Sequence, residues 1–98
     1  MQEVITILEA SIEQARWEEL RRIYEKETKN IPPGIRQTFL LKSQSRPHVW
    51  RVVTHWRSLT DLDEMRATES VPVAVRIFRS VGAEPQLEIW DISKHATG

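Results

Sequence analysis

The chain has 98 residues, fourteen basic and fourteen acidic side chains, and no cysteine. Nucleic-acid binding usually requires a basic surface, and disulfides and thiolate metal sites require cysteine, so this composition argues against a nucleic-acid partner and excludes cysteine chemistry. No signal-peptide pattern and no apolar stretch of roughly twenty residues is visible, so a cytoplasmic protein with no membrane partner is expected.

The length fits a single domain over residues 1–98, with a core expected over 3–92 and a frayed tail over 93–98. The first apolar run predicts a strand over 3–12. An amphipathic helix is predicted over 13–30. Its apolar stripe comprises Trp17, Leu20, Ile23 and Tyr24.

A β-hairpin is predicted in the middle of the chain. The Pro-Pro-Gly sequence at 32–34 ends the helix, because the residue before a proline avoids the helical conformation, and Gly34 supplies a flexible exit. Strands are predicted over Ile35–Lys42 and 48–56, joined by the polar connection 43–47.

Two short helical segments follow the hairpin. Ser58 and Asp61 resemble a capping box, which predicts that a helix begins between them. The segment 71–81 alternates as a strand would, and it also carries a helical apolar stripe. Ser70 as a cap and Pro72 in the first turn favour a helix there.

A last strand over 86–92 completes the order β-α-β-β-α-β, which is typical of an α+β, ferredoxin-like fold with an antiparallel sheet and its helices on one face. Both faces of strand 48–56 carry apolar residues, valines on one and tryptophans on the other: Val49 and Val53 against Trp50 and Trp56. The helices of one subunit cover one face only. A homodimer through the open sheet face is therefore expected.

The chain resembles the antibiotic biosynthesis monooxygenase-type (ABM) domains of the dimeric α+β barrel superfamily over about residues 3–92. The resemblance rests on the helix that contains Trp17 and on the turn at Pro33 and Gly34. It rests above all on the sequence Val-Val-Thr-His-Trp-Arg-Ser at 52–58, which leads into a short acidic helix start.

This resemblance implies a homodimer whose two sheets pack face to face into a barrel, with a pocket in each subunit between sheet and helices. Some members oxidise polycyclic phenols with dioxygen and no cofactor, others degrade haem, and many have no known reaction. The tryptophan that closes the third strand lines the pocket in relatives, and Trp56 is the matching residue. Haem-degrading relatives use an asparagine in the first strand and a histidine in the second helical part. Residues 4–12 contain no asparagine and 71–81 no histidine, so haem chemistry is not implied and no cofactor is expected.

Five residues are predicted to line a pocket for a small aromatic ligand. Trp50, Thr54 and Trp56 share one face of their strand, and Tyr24 and Phe78 lie on helix stripes that would cover it. An apolar pocket with a few polar atoms is the usual form of a small-molecule site. Plain core packing explains the same pattern equally well.

No catalytic residues and no metal site are predicted. His48 lies beside the hairpin turn and His95 in the tail, so they are not expected to converge on one metal. His55 is expected to face the dimer interior near Arg51, as a hydrogen-bonded interface residue. The acidic residues of the short helix are interpreted as surface groups that stabilise the helix dipole.

Three functional hypotheses follow. The first is a cofactor-independent monooxygenase that binds a small aromatic or quinol-type compound, and the second is a non-catalytic dimeric module of the same fold that binds a metabolite or acts as a scaffold. The third is an RNA-binding domain of the same strand order. The neutral charge and the lack of a basic, glycine-containing motif over 49–56 argue against it.

Overall fold

The computed structural model describes residues 2–69 and 71–98, which form a four-stranded sheet and three helices. The elements in chain order are β1 (Val4–Ser11), α1 (Trp17–Glu27), β2 (Ile35–Lys42), β3 (Val49–Trp56), α2 (Leu59–Thr68), α3 (Val73–Ser80) and β4 (Gln86–Asp91). A 3-10 turn over Gln14–Arg16 precedes α1, so the α-helix begins later than predicted. The prediction of a helix over 71–81 is confirmed by α3. The cap predicted at Ser70 lies outside the described residues.

The sheet is antiparallel, with the strand order β2-β3-β1-β4. The two central strands pair so that Thr6 of β1 lies opposite Thr54 of β3. Thr38 of β2 also lies opposite Thr54, and Ile89 of β4 lies opposite Thr6. This is the α+β, ferredoxin-like arrangement that the sequence predicts.

The core lies between the sheet and the helices and consists of two separate clusters. Nearly every second residue of β1 and β3 is buried, as expected for central strands with one face against helices. The larger cluster joins Leu8 of the sheet to Leu20 of α1 and Phe78 of α3. The smaller cluster surrounds Trp56 and Leu62, at the other end of β3. The space between sheet and helices is therefore not packed as one continuous core.

The start of α2 is fixed by a capping arrangement, which confirms the predicted role of Ser58 and Asp61. The hydroxyl of Ser58 accepts a hydrogen bond from the backbone N–H of Asp61 at 3.1 Å and donates to Asp61 Oδ2 at 2.8 Å. Arg57 donates to both carboxylate oxygens of Asp61 at 3.0 Å. These contacts satisfy one of the helix's free N–H groups and direct the chain away from the sheet immediately after Trp56.

Gly34 is required for a close approach, not for the flexible exit expected from the sequence. A Cβ atom at position 34 would lie 2.7 Å from Cβ of Asp61, a distance that side chains do not tolerate. The carbonyl of Gly34 also accepts a hydrogen bond from the N–H of Arg57 at 2.9 Å. The turn before β2 and the start of α2 are thereby held together.

The second face of the sheet carries exposed apolar side chains. Phe39 and Leu41 of β2 are each 44% exposed, and Trp90 of β4 is 56% exposed. Ile7 and Val53 lie between them on the central strands and are partly buried. This surface, formed by Ile5, Ile7, Phe39, Leu41, Val53 and Trp90, is called the open face below. As the sequence predicts, one layer of helices leaves it uncovered.

Within residues 2–69 and 71–98, none of the helices has both the length and the apolar character needed to cross a membrane.

The capping carboxylate makes stability depend on pH. Hydrogen bonds from Arg57, and then from the Ser58 hydroxyl, lower the pKa of Asp61 below its usual range. A carboxyl whose pKa is lower in the folded state stabilises the fold above its unfolded pKa of about 3.9, and that stabilisation is lost as the pH falls through the folded value. We expect Asp61→Asn to lower the thermal midpoint at pH 7, with the difference from the parent protein shrinking below about pH 4.

Asp63→Asn is the control, since it removes an exposed carboxylate from the same helix. Thermal unfolding of the three proteins between pH 7 and pH 3 measures the effect. A difference between Asp61→Asn and the parent protein that is the same at every pH would contradict the assignment.

Candidate ligand-binding site

A cavity of about 440 Å³ lies between the helix-covered face of the sheet and the three helices. Its volume is within the usual range of small-molecule sites. Most of its wall is apolar, with Leu8, Val52, Ile77, Val73 and Met65 among the contributors. It borders both core clusters, so it occupies the gap that the helices leave between them.

A row of threonine hydroxyls crosses the floor of the cavity. Thr38, Thr54 and Thr6 stand side by side on β2, β3 and β1, because the register places each opposite the next on one face of the sheet. Threonine suits strands because its branched Cβ packs well on a pleated surface. Its hydroxyl gives an otherwise apolar floor a line of donors and acceptors.

These hydroxyls are linked to the two aromatic residues of the cavity. Tyr24 Oη donates to Thr38 Oγ1 at 3.3 Å, and Thr38 Oγ1 lies 3.3 Å from Thr54 Oγ1. Trp56 Nε1 donates to Thr6 Oγ1 at 3.0 Å. The indole N–H is thereby satisfied inside the protein, and the ring forms an apolar wall.

Charged residues surround the mouth of the cavity. Lys26 and Glu27 come from the last turn of α1, and Arg66 and Glu69 from the end of α2. Arg76 of α3 lies 3.5 Å from Glu69 and 3.9 Å from Glu27, so it bridges the two helix ends. Ion pairs at such exposed positions are weak, and the link is easily opened.

Three of the five predicted site residues line this cavity: Tyr24, Thr54 and Trp56. Trp50 shares a face with Trp56, but it lies six residues away on an extended strand, which is about 20 Å. It packs instead against Trp17, with 5.8 Å between the ring centroids.

The prediction for Phe78 also needs correction. Its side chain is 0% exposed and belongs to the larger core cluster with Leu20, because α3 turns this position towards α1. Ile77, the preceding residue, lines the cavity in its place.

On the sheet, Thr6 and Thr38 are the polar lining residues that the sequence did not predict. Each sits inside an apolar run, where a single threonine is compatible with either face of a strand. The strand register identifies them: when β1 and β2 are aligned with β3, Thr6 and Thr38 both lie opposite Thr54, which was predicted to line the pocket. That alignment depends on the three-dimensional pairing.

The histidines lie elsewhere. His55 Nε2 lies 2.9 Å from Glu3 Oε1, on the face of the sheet opposite the cavity, and His48 Nδ1 lies 3.2 Å from the carbonyl of Ile12. Within the part of the chain that the structure describes, no group of three or more histidine, aspartate or glutamate residues is placed to hold a metal ion.

No family model matches the chain, and neither does any curated protein. Solved structures match it over nearly its whole length. A candidate antibiotic biosynthesis monooxygenase from Deinococcus radiodurans has a TM-score of 0.74 and 14% identity, covering 96% of both chains. A second such candidate, from Bordetella bronchiseptica, has a TM-score of 0.71 and 12% identity, covering 99% of this chain and 100% of its own. SnoaB from Streptomyces nogalater, a cofactor-independent oxygenase, has a TM-score of 0.65 and 14% identity, covering 99% and 97%.

The chain therefore has the fold of the ABM-type domains, and the resemblance seen in the sequence is confirmed at the level of the fold. Function does not follow from a shared fold and must be argued from the residues of the site.

The two buried tryptophans of β3 give a test of the hydrogen bonding at the cavity floor. Trp50 Nε1 is buried and has no hydrogen-bond partner among the described residues, whereas Trp56 Nε1 donates to Thr6. Removing an unsatisfied donor offsets part of the loss of packing, while removing a satisfied one does not. We expect Trp56→Phe to lower the free energy of unfolding by roughly 1–2 kcal/mol more than Trp50→Phe.

Unfolding in urea, monitored by circular dichroism, measures both losses. The two substitutions remove the same atoms from the same strand, so each is the other's control. Equal losses, or a larger loss for Trp50→Phe, would count against the Trp56–Thr6 hydrogen bond.

Proposed function

We propose that this protein is a cofactor-independent oxygenase that acts on a small, fused-ring aromatic or quinol-type compound. The observation that carries the proposal is the apolar cavity with a hydroxyl row on its floor and Trp56 as one wall. A flat apolar molecule suits such a space, and the few polar atoms give it an orientation. The shared fold with SnoaB, a cofactor-independent oxygenase, agrees with this assignment.

In such a reaction the substrate supplies the electrons. An activated C–H group of an aryl ketone loses a proton to give an enolate, which reduces dioxygen directly. One oxygen atom becomes a new carbonyl group and the other leaves as water, so a methylene is converted into a ketone and no external reductant is needed. The protein's task is to orient the substrate and favour its deprotonated form.

The residues of the cavity divide this task. The ring of Trp56 lies along one side, and the hydroxyl of Thr54 is placed to hold a ring oxygen, while the hydroxyl of Tyr24 donates to Thr38 beside it. None of the histidines lines the cavity within the described part of the chain, and the lining carboxylates Glu27 and Glu69 stand at its mouth beside Arg76. Water at the mouth is therefore the proton acceptor in this proposal.

Oxygen consumption tests the proposal. The protein is incubated with anthrone, and uptake is compared with the spontaneous rate. Ala74→Leu adds volume inside the cavity, because Ala74 lines it from α3. We expect uptake above the spontaneous rate, and a decrease of roughly tenfold or more in the variant, since misplacement by about 1 Å is costly for an oriented reaction.

Ala67→Leu is the matched control, because Ala67 is exposed on α2 and does not line the cavity. Its activity should equal that of the parent protein. Uptake no faster than the spontaneous rate with every anthrone tried would overturn the assignment.

A non-catalytic dimeric module that binds a metabolite is the second candidate function. The observation that favours it is the lack of an imidazole in the cavity lining among the described residues. Calorimetric binding of an aromatic compound without oxygen uptake would select this function over the first. A cavity that binds nothing would leave only the scaffolding role.

We also propose that two copies assemble through the open face. Two symmetry-related copies would bury Phe39, Leu41 and Trp90 against each other, as an isologous interface requires. Apart from the exposed Glu88 of β4, which lies opposite Ile7 and makes no ion pair among the described residues, the charged groups near this face are paired within one chain, which lowers the cost of burying them. Arg51 lies 2.6 Å from Glu9, and Glu3 accepts contacts from His55 at 2.9 Å and Arg36 at 2.7 Å.

Analytical ultracentrifugation tests the assembly. We expect a dimer for the parent protein and a monomer for Phe39→Asp, which places a charge in the apolar interface. Leu59→Asp is the control, because Leu59 on α2 is 43% exposed, close to the 44% of Phe39, but lies off the sheet. A parent protein that is monomeric at high concentration, or a control that also dissociates, would contradict the proposal.

Two further assignments stay predictions from the sequence: a single domain over residues 1–98 with its core over 3–92, and a location in the cytoplasm.

A further inference from the structure

We propose that Thr6 and Thr54 together form a two-donor site for one oxygen atom of the ligand, and that the ligand is therefore a fused-ring aryl ketone held by its carbonyl group. This inference rests on the proposed function and deepens it, since it names the chemical class of the substrate and the atoms that recognise it. Both side chains are more than nine-tenths buried, with 8% of Thr6 and 6% of Thr54 exposed.

The hydrogen bond from Trp56 leaves the proton of Thr6 available. An indole N–H is a donor only, so Thr6 Oγ1 must act as the acceptor in the 3.0 Å contact. Among the described residues, that contact is the one side-chain hydrogen bond in which Thr6 takes part. Its own O–H is therefore free to donate into the cavity that it lines.

The proton of Thr54 is directed by a chain of hydroxyls. Tyr24 Oη donates to Thr38 Oγ1. Because Thr38 Oγ1 accepts this hydrogen bond, its own hydroxyl proton is available to donate to Thr54 Oγ1, which lies 3.3 Å away. Thr54 is then an acceptor from Thr38, and its own proton points to the remaining partner, the cavity.

The backbone offers neither hydroxyl a better acceptor. β1 and β3 are the central strands, with neighbours on both sides, so their carbonyl groups are engaged in the ladders of the sheet. Thr6 and Thr54 lie directly opposite each other in this pair. The Cβ atoms of such pairs are about 4.5–5.5 Å apart, a spacing that one oxygen atom can bridge.

Two converging donors suit an oxygen that gains negative charge. When an aryl ketone of the anthrone type loses its C–H proton, the charge moves to the carbonyl oxygen as an enolate. Hydrogen bonds to an ionised acceptor are stronger than those to a neutral one, and fixed donors in an apolar site favour the charged form most. Thr6 and Thr54 would therefore bind the ketone and stabilise the enolate more.

A ligand that cannot be oxidised tests the site separately from the reaction. Fluorenone has three fused rings and one carbonyl group, and fluorene is the same ring system with a methylene in its place. We expect the parent protein to bind fluorenone roughly tenfold more tightly than fluorene, as measured by quenching of tryptophan fluorescence, since two hydrogen bonds contribute to the difference. Thr54→Val and Thr6→Val should each reduce this preference to roughly threefold, because each removes one of the two hydrogen bonds, while leaving fluorene binding unchanged.

Thr54→Ser and Thr6→Ser should retain the preference, because serine keeps the donor. Thr60→Val is the control, since Thr60 is exposed on α2 and does not line the cavity. Should Thr6→Val fail to fold after losing the acceptor for Trp56, the Thr54 and serine variants still decide the question.

The carbonyl stretching frequency of bound fluorenone is a second readout that a purely structural role would not move. It should be lowered in the parent protein by two hydrogen bonds and rise part of the way back in each valine variant. Equal affinity for fluorenone and fluorene, an unshifted carbonyl band, or no binding of either compound would overturn the two-donor site, whatever the result with anthrone. A clear preference for fluorenone without oxygen uptake would leave the site standing and overturn the oxygenase.

Discussion

The register between the two central strands is the constraint on which the rest of the structure depends. Because side chains alternate along a strand, a slip of one residue between β1 and β3 would move Thr6 and its neighbours to the other face of the sheet. The observed pairing sets Thr6 opposite Thr54 and keeps the valine-rich and isoleucine-rich set on the open face. The register between β1 and β3 therefore determines both which residues form the floor of the cavity and which residues form the open face.

The cavity exists because the helices are anchored at two separate places. α1 and α3 pack on the Trp50 end of the sheet, where Leu20 and Phe78 complete the larger cluster. α2 is tied to the opposite end through the Ser58–Asp61 cap and Leu62. Since small residues such as Ala74 line the space between these anchors, neither group of helices fills it.

The sequence was sufficient for the order of the elements, for the helix at α3 and for the cap at α2, because propensity, capping and alternation are local properties of the chain. The apolar character of both sheet faces could also be predicted, because it follows from the alternation of side chains within a single strand. Which residues line the cavity is not a local property, because it depends on the position of each residue along its strand and on the residues opposite it in the neighbouring strands. Trp50 lies on the same face of β3 as Trp56 but at the opposite end of the strand, where it packs against Trp17. Thr38 is identified as a lining residue only because it lies opposite Thr54 in the sheet.

The edge strand β4 determines how a ligand reaches the cavity. Leu87 and Ile89 point to the helix-covered side and line the cavity, yet they are 48% and 41% exposed. The cavity is therefore open to solvent along β4, and the opening is lined by apolar side chains. A small apolar molecule therefore reaches the cavity along β4 without the movement of a helix, so binding there does not require a conformational step.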